Sequence, residues 1–124
     1  MADFDFSEVA DMAANLGRVS GAVVQEARKV VAKGSLNIKN DARERISDHP
    51  SWKRLAHTIN YDLAGLSAVI GYDDRGQGEL AGIAEFGSAR HAPHPALFPA
   101  AQDEAPRFAD EIAKVAAKAI EDAL

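Results

Sequence analysis

Three side chains between residues 85 and 94 have the chemistry of metal ligands, namely Glu85, His91 and His94. Carboxylate and imidazole groups bind zinc and iron. The two histidines stand three residues apart, a spacing that would place both rings on one face of a helix. Pro93 and Pro95 oppose a helix at this point, however. We therefore expect loop histidines without a bound metal, and keep a small metal-dependent hydrolase that uses these three residues as an alternative function.

Other residue types that support catalysis or phosphate binding lack the partners that such chemistry requires. Ser51 and Ser88 have no local base signature, and no nucleophile elbow is present. The glycine-rich stretch DDRGQGELAG, residues 73–82, lacks the lysine and the helix start of a phosphate-binding loop. Asp73 and Asp74 have the pattern of a turn pair rather than of desolvated acid–base groups. We expect a protein that is not an enzyme and needs no cofactor.

The composition indicates a small acidic protein that is rich in alanine. A length of 124 residues predicts one domain, 1–124, and the many alanines favour closely packed helices. The absence of cysteine excludes a disulfide and a thiolate metal site. The net charge of −5 argues against a sequence-reading DNA-binding domain. The acidic start MADFDFSEVADM predicts no signal peptide, and no apolar run is long enough to predict a membrane span.

The charges are unevenly distributed, since residues 18–54 are basic and both ends of the chain are acidic. Two interpretations stay open: ordinary solvated helix faces, or complementary surfaces that meet between copies. The second interpretation pairs basic residues of one copy with acidic residues of the next, such as Arg43, Arg45, Lys53 and Arg54 with Asp103, Glu104, Asp110 and Glu111.

The elements that position these residues begin with a helical stripe of apolar and small residues. Over residues 7–46 such residues recur three or four apart, which predicts one long helix. Glycine costs about 1 kcal/mol relative to alanine in a helix, and we expect a bend or break near Gly34–Ser35. A helix of roughly 60 Å would exceed a compact domain of this size. Part of it is therefore expected to pack on another subunit, unless two shorter helices fold on each other.

The pattern changes after Pro50, where alternating residues predict a β-hairpin. The two predicted strands cover residues 54–63 and 66–73, with Ala64–Gly65 as the turn. Residues 79–86 fit either a helical turn that stops at Gly87 or a short strand.

The end of the chain predicts a last helix, from about Pro95 or Pro99 to Ala123. Pro99 and Pro106 both suit the first turn of a helix, which predicts two starting points with a kink between them. The predicted fold class is α+β: a long N-terminal helix, a small antiparallel β-hairpin, a proline-rich arm and a C-terminal helix.

The stretch IAEFGSARHAPHPALFPAA, residues 83–101, resembles a signature of the head–tail joining, neck or minor tail proteins of long-tailed bacteriophages. That signature reads Tyr-Val-Glu-Phe-Gly-Thr, then a basic linker, then Arg-Pro-Phe-Leu-Arg-Pro-Ala before a last helix. Here the segments 85–88 and 94–100 stand in the corresponding places, and the order of elements also matches. The chain departs from the family before its first strand, where HPSWKRLAHTI keeps only Pro50 and Leu55 of a Pro-x-(Asp/Lys)-Thr-Gly-x-Leu stretch.

The resemblance implies a structural protein of the virion, located in the neck or tail and, during assembly, in the host cytoplasm. It implies a homo-oligomeric ring of six or twelve copies. This ring would contact the head connector and the tail-tube or tail-terminator protein, and genomic DNA would pass through it without specific binding. An oligomeric cytosolic binding module unrelated to phage is the alternative from another class.

The interface that the resemblance implies lies in the motif itself. Its residues are Glu85, Phe86, Gly87, Pro95, Leu97, Phe98 and Pro99. We expect Leu97 and Phe98 to be apolar anchors on an arm whose prolines lower the entropic cost of docking. The alternative is that both side chains pack on their own domain.

Overall fold

The computed structural model describes residues 2–5, 21–73 and 78–123. The elements follow in the order β1 (Ala2–Asp5), α1 (Gly21–Ser47), a 3-10 helix (Lys53–Thr58), β2 (Ile59–Ala64), β3 (Ser67–Tyr72), α2 (Gly78–Phe86) and α3 (Leu97–Ala123). The two long helices pack against each other and against an antiparallel sheet of strand order β1-β3-β2. The predicted α+β class, with long helices around a small antiparallel sheet, is confirmed.

Helix α1 is the described part of the long predicted helix, of which residues 7–20 lie outside the described residues. The predicted break at Gly34–Ser35 is wrong, because the helix runs through both residues. Gly34 lies against the ring of Phe108 on α3, and the Ser35 hydroxyl donates to the Val31 carbonyl at 2.8 Å. The close packing of Gly34 offsets its weak helix propensity, and the hydrogen bond satisfies the buried hydroxyl of Ser35.

The segment before the hairpin is a 3-10 helix rather than the first half of a strand. Its alternating pattern was misleading, because the buried residues are Leu55 and Thr58, three apart, as one helical turn requires. The Thr58 hydroxyl donates to the Leu55 carbonyl at 2.7 Å and stabilises that turn. Strand β2 begins only at Ile59, whose carbonyl accepts from Nε and Nη2 of Arg43 at 2.9 and 2.7 Å. A side chain of α1 therefore determines where the strand starts.

The predicted hairpin is present as the antiparallel pair β2–β3. Ala64 pairs with Ser67, so the turn consists of Gly65 and Leu66, one residue later than predicted. Gly65 has φ of +60°, which suits the first central position of a type II′ turn. Strand β1 adds a third strand at the other edge of β3, with Ala2 opposite Ile70. The sequence analysis did not predict this strand.

Of the two alternatives for residues 79–86, the helix is correct, since α2 covers Gly78–Phe86. The last helix is also confirmed, although it begins at Leu97. The second start at Pro106 is wrong, because Pro106 lies inside one helix. Proline removes one backbone hydrogen bond at a cost of about 3 kcal/mol. Burial of Glu104 and Phe108 on the opposite face of α3 keeps the helix continuous.

One hydrophobic cluster connects the helices, the 3-10 helix and the hairpin. Its largest fully buried side chains are Ile46 and Val31 of α1 and Ile59 and Ile70 of the sheet. Small buried residues, Ala42, Ala84, Ala96 and Ala100, lie between the elements. The expectation that alanine would serve close helix packing is therefore correct.

Candidate functional site

The side chain of Glu85 connects the two halves of the motif, which are residues 85–88 and residues 94–100. Helix α2 carries Glu85 to the N-terminus of α3, where the residue is only 6% exposed. Its Oε1 accepts hydrogen bonds from the amides of Ala96 at 3.0 Å and Leu97 at 3.1 Å. Its Oε2 accepts from the amide of Phe98 at 3.4 Å. A residue of α2 therefore caps α3.

The charge of Glu85 suits this position. The first turn of α3 contains no acidic residue of its own, and a helix N-terminus presents unpaired amides at the positive end of its dipole. The hydroxyl of Tyr72 on β3 also donates to Oε1 of Glu85, at 3.4 Å. Burial, together with the negative charge of Glu85, raises the pKa of Tyr72 well above its usual range. Strand β3 and helices α2 and α3 thus meet at one carboxylate.

A tight turn at Gly87 ends α2 and reverses the chain. The Gly87 amide donates to the Ile83 carbonyl at 2.7 Å, and Gly87 has φ of +80°, which favours glycine. A Cβ at this position would lie 2.9 Å from Cδ of Pro93. The amide of His94 then donates to the Ala84 carbonyl at 2.7 Å. The proline-rich segment consequently folds back along α2.

Two histidines of the proline-rich segment pack on aromatic rings at the end of α1. The ring of His91 meets Trp52 at a centroid distance of 5.6 Å, and His94 meets His49 at 4.9 Å. Nε2 of His94 lies 3.1 Å from the carbonyl oxygen of Arg45. The segment therefore contacts its own subunit through residues 91 and 94.

Four of the seven proposed interface residues are wholly or partly covered in the subunit. Glu85 and Leu97 are buried, and Gly87 and Pro99 are half-buried, while Pro95 is exposed. Leu97, at 3% exposure, belongs to the subunit's own core, so of the two alternatives for this side chain the packing on its own domain is correct.

Phe86 and Phe98 are the proposed interface residues that combine a large apolar side chain with high exposure. They are 66% and 50% exposed. Their rings pack edge to face, with centroids 5.9 Å apart and an interplanar angle of 61°. We call this pair the aromatic knob. Glu85 and Gly87, its neighbours in the sequence, hold α2 and α3 in the relative positions that bring the two rings together.

The three candidate metal ligands do not form a coordination site. Both carboxylate oxygens of Glu85 accept amide hydrogen bonds, and the rings of His91 and His94 pack on different partners. Within residues 2–5, 21–73 and 78–123, no group of three or more histidine, aspartate or glutamate side chains could hold a metal ion. Residues 74–77 of the glycine-rich stretch lie outside the described residues.

Part of the predicted charge pairing between copies occurs within one subunit. Arg45 of α1 forms ion pairs with Asp41 and with Asp103 of α3. Glu104 is buried, where Nε of Arg107 donates to it at 2.6 Å. These pairs connect or stabilise the two long helices, so the residues concerned are engaged before any second copy approaches.

The sequence analysis missed three residues that build this region. Tyr72 lies in the predicted strand 66–73, and His49 and Trp52 lie in or beside the stretch HPSWKRLAHTI, and none of the three has a partner that the sequence indicates. The pairs Tyr72–Glu85 and Trp52–His91 are separated by 13 and 39 residues, so no local pattern reports them. The one available signal was the single tryptophan in the chain beside a histidine and a proline.

No helix among the described residues is both long enough and apolar enough to cross a membrane. Comparison of the chain with protein-family models, with curated proteins and with solved structures finds no match.

Proposed function

We propose that this chain is a structural virion protein from the neck or tail end of a long-tailed bacteriophage. Identical copies form a ring between the head connector and the tail tube, and the genome passes through its opening. The ring has six or twelve copies. The protein acts through its surfaces and carries out no chemical reaction.

The observation that carries this proposal is the construction of the motif around Glu85. The carboxylate binds three amides of the α3 N-terminus, and the turn at Gly87 positions the following segment. This arrangement places two exposed aromatic rings, those of Phe86 and Phe98, against each other. Aromatic side chains held rigidly on a surface are typical anchors of protein–protein interfaces. A motif that builds such a pair is suited to assembly.

The net charge supports the part of the proposal that concerns DNA. Duplex DNA carries one negative charge per roughly 1.7 Å, so a basic lumen would bind and retard it. This chain carries −5 per copy, and that charge is repeated around a ring. An acidic lumen lets DNA pass without retaining it. The exposed carboxylate of Asp73 and its neighbour Asp74 in the sequence are candidates for this wall.

The experiment that tests the function uses the phage or prophage that encodes the chain. We delete the gene, induce particle formation and examine the lysate by negative-stain electron microscopy. The expected result is full heads and complete tails that remain unjoined, with joining restored when the wild-type gene is supplied in trans. Normal infectious particles from the deletion strain would overturn the proposal and favour the cytosolic binding module.

A second arm of the experiment locates the protein. Particles assembled with a C-terminally tagged copy are labelled with gold-conjugated antibody against the tag. We expect label at the junction between head and tail. Label that is absent from purified particles, while the tagged protein is abundant in the soluble lysate, would count against a virion role.

A further inference from the structure

An apolar groove of about 220 Å³ lies between the two long helices above the central strand. Its walls include Gly34 and Ile38 of α1, Ile70 of β3, and Ala101, Ala105 and Phe108 of α3. Small residues on both helices leave the gap open, and the exposed residue Ala105 lies at its mouth.

The one ionisable side chain at this groove, among the residues that the structure describes, already has partners. Glu104 accepts hydrogen bonds from Nδ2 of Asn37 at 3.2 Å and from Nε of Arg107 at 2.6 Å. A group that enters the groove therefore meets no unpaired carboxylate, and burying an uncharged group there leaves no charge uncompensated. The groove is suited to an uncharged apolar side chain.

The size of the groove matches one phenyl ring. An apolar cavity of about 150 Å³ accommodates benzene, so the groove has room for a phenylalanine side chain. The same chain exposes two such rings in the aromatic knob, Phe86 and Phe98.

The knob of a subunit cannot enter the groove of the same subunit. Phe98 and Ala105 lie on one rigid helix, about 10 Å apart along its axis. A helical side chain leans toward the N-terminus of its helix, which directs the ring of Phe98 away from Ala105. The ring of Phe86 is held against Phe98. An aromatic knob that enters the groove therefore belongs to another molecule.

We propose that the groove receives one ring of the aromatic knob of a second copy of this chain. This inference rests on the proposed self-assembly and names its two contact surfaces. A surface patch that fits a groove elsewhere on the same molecule produces rings when the rotation closes. The charge distribution agrees, because an uncharged ring meets a groove where Glu104, the carboxylate among its described lining residues, is already paired with Arg107.

The contact area predicts how strong the association is. Two phenylalanines bury roughly 300–500 Å² in total, and part of this is already covered in the subunit. A stable interface needs about 1,600 Å², so the knob supplies only the centre of a larger contact. We expect the purified chain to associate in a concentration-dependent manner, with the full ring forming at high protein concentration or on its connector.

The test uses two variants that each lose one surface, and then mixes them. Phe86→Ala/Phe98→Ala removes the knob, and Ala105→Phe blocks the mouth of the groove. We measure association by sedimentation velocity over a wide range of concentration. Each variant alone is expected to associate at least tenfold more weakly than the wild type. Their equimolar mixture is expected to form pairs, because the knob of one variant still fits the groove of the other.

Matched controls separate this effect from a general change of surface. Ala117→Phe adds a phenyl ring at an exposed position of α3 that does not line the groove, and Ile120→Ala removes a 44% exposed apolar side chain from the same helix. Both controls are expected to associate like the wild type. Far-UV circular dichroism and thermal melting verify the fold, and Ala105→Leu replaces Ala105→Phe if the latter does not fold.

Three results would overturn the inference: a wild-type chain that is monomeric throughout, an Ala105→Phe chain that associates normally, or a mixture that stays monomeric. Such results leave the proposed function standing if the deletion strain still produces unjoined heads and tails. Conversely, knob-in-groove association together with normal particles from the deletion strain would refute the virion role alone.

Discussion

Gly34 of α1 lies directly against the ring of Phe108 on α3, so that a Cβ at Gly34 would be 3.1 Å from Cδ2 of that ring. A Cβ at Gly21 or Gly82, by comparison, would have no neighbouring atom within 4 Å. The absence of a side chain therefore serves packing between helices, and it explains why a residue with poor helix propensity stands in the middle of α1.

Substitution of Gly34 tests this contact. Gly34→Ala gains up to about 1 kcal/mol of helix propensity but displaces Phe108, so its net effect on the free energy of unfolding is expected to be small. Gly34→Val adds a larger clash and should destabilise by about 1–3 kcal/mol. Gly82→Ala in α2, with nothing within 4 Å of the added Cβ, should stabilise by about 0.5–1 kcal/mol. Urea denaturation measures all three, and a Gly34→Val protein as stable as the wild type would refute the explanation.

Removal of the Glu85 carboxylate should be one of the more damaging single changes outside the apolar core. Glu85→Ala leaves three amides at the start of α3 without their acceptor, and we expect a loss on the order of 3 kcal/mol. Glu85→Gln keeps one acceptor oxygen and loses the charge at the helix dipole, so the loss should be nearer to 1 kcal/mol.

The control for Glu85 is Glu121→Ala, an exposed glutamate near the other end of α3. Its unfolding free energy should stay within about 0.5 kcal/mol of the wild type. If Glu85→Ala and Glu121→Ala have the same stability, Glu85 is not a significant cap.

Tyr72 should make the protein less stable at alkaline pH. Burial and the nearby carboxylate of Glu85 raise the pKa of Tyr72 in the folded state, whereas a tyrosine in an unfolded chain titrates near pH 10. The stability contributed by the neutral hydroxyl is therefore complete below about pH 10 and is lost as the pH rises from there toward the folded pKa. Above about pH 10 the free energy of unfolding should fall by up to about 1.4 kcal/mol per pH unit from this group.

The phenylalanine in Tyr72→Phe cannot ionise. The free energy of unfolding of this variant should therefore fall less steeply than that of the wild type between pH 10 and pH 11.5, the range just above the tyrosine pKa of about 10 in an unfolded chain. Tyr61→Phe, on β2, leaves Tyr72 in place and should keep the wild-type decline. Denaturation curves at several pH values measure the difference. Parallel curves for the wild type and Tyr72→Phe would show that Tyr72 does not cause the effect.

Gly87 and Gly65 provide a matched pair for the cost of a left-handed backbone. Both have positive φ, but a Cβ at Gly87 would lie 2.9 Å from Pro93, whereas nothing lies within 4 Å of one at Gly65. Gly65→Ala should therefore cost only the conformational strain, about 1 kcal/mol. Gly87→Ala adds a clash with the proline ring and should cost roughly 2–4 kcal/mol. Thermal melts compare the two, and equal losses would mean that the contact with Pro93 relaxes freely.

The elements with a strong local signal are predictable from the residues alone. The three-to-four spacing of apolar residues identified α1 from Gly21 onward and α3, because one buried face of a helix repeats with that period. A glycine between two runs of alternating residues located the hairpin to within one residue. The segment from Glu85 to Phe98 was also recognised as the most informative part of the chain, because its prolines and glycine restrict the backbone.

How these elements end and meet depends instead on contacts between residues that are distant in the chain. The start of β2 depends on Arg43, sixteen residues earlier, which binds the Ile59 carbonyl. The continuity of α1 through Gly34 depends on Phe108 of another helix. Glu85 and Leu97 read as interface residues, yet both are buried because α3 lies close enough for its amides to reach the carboxylate. Such contacts join residues far apart in the chain, and their free energies outweigh the local preferences from which a sequence is interpreted.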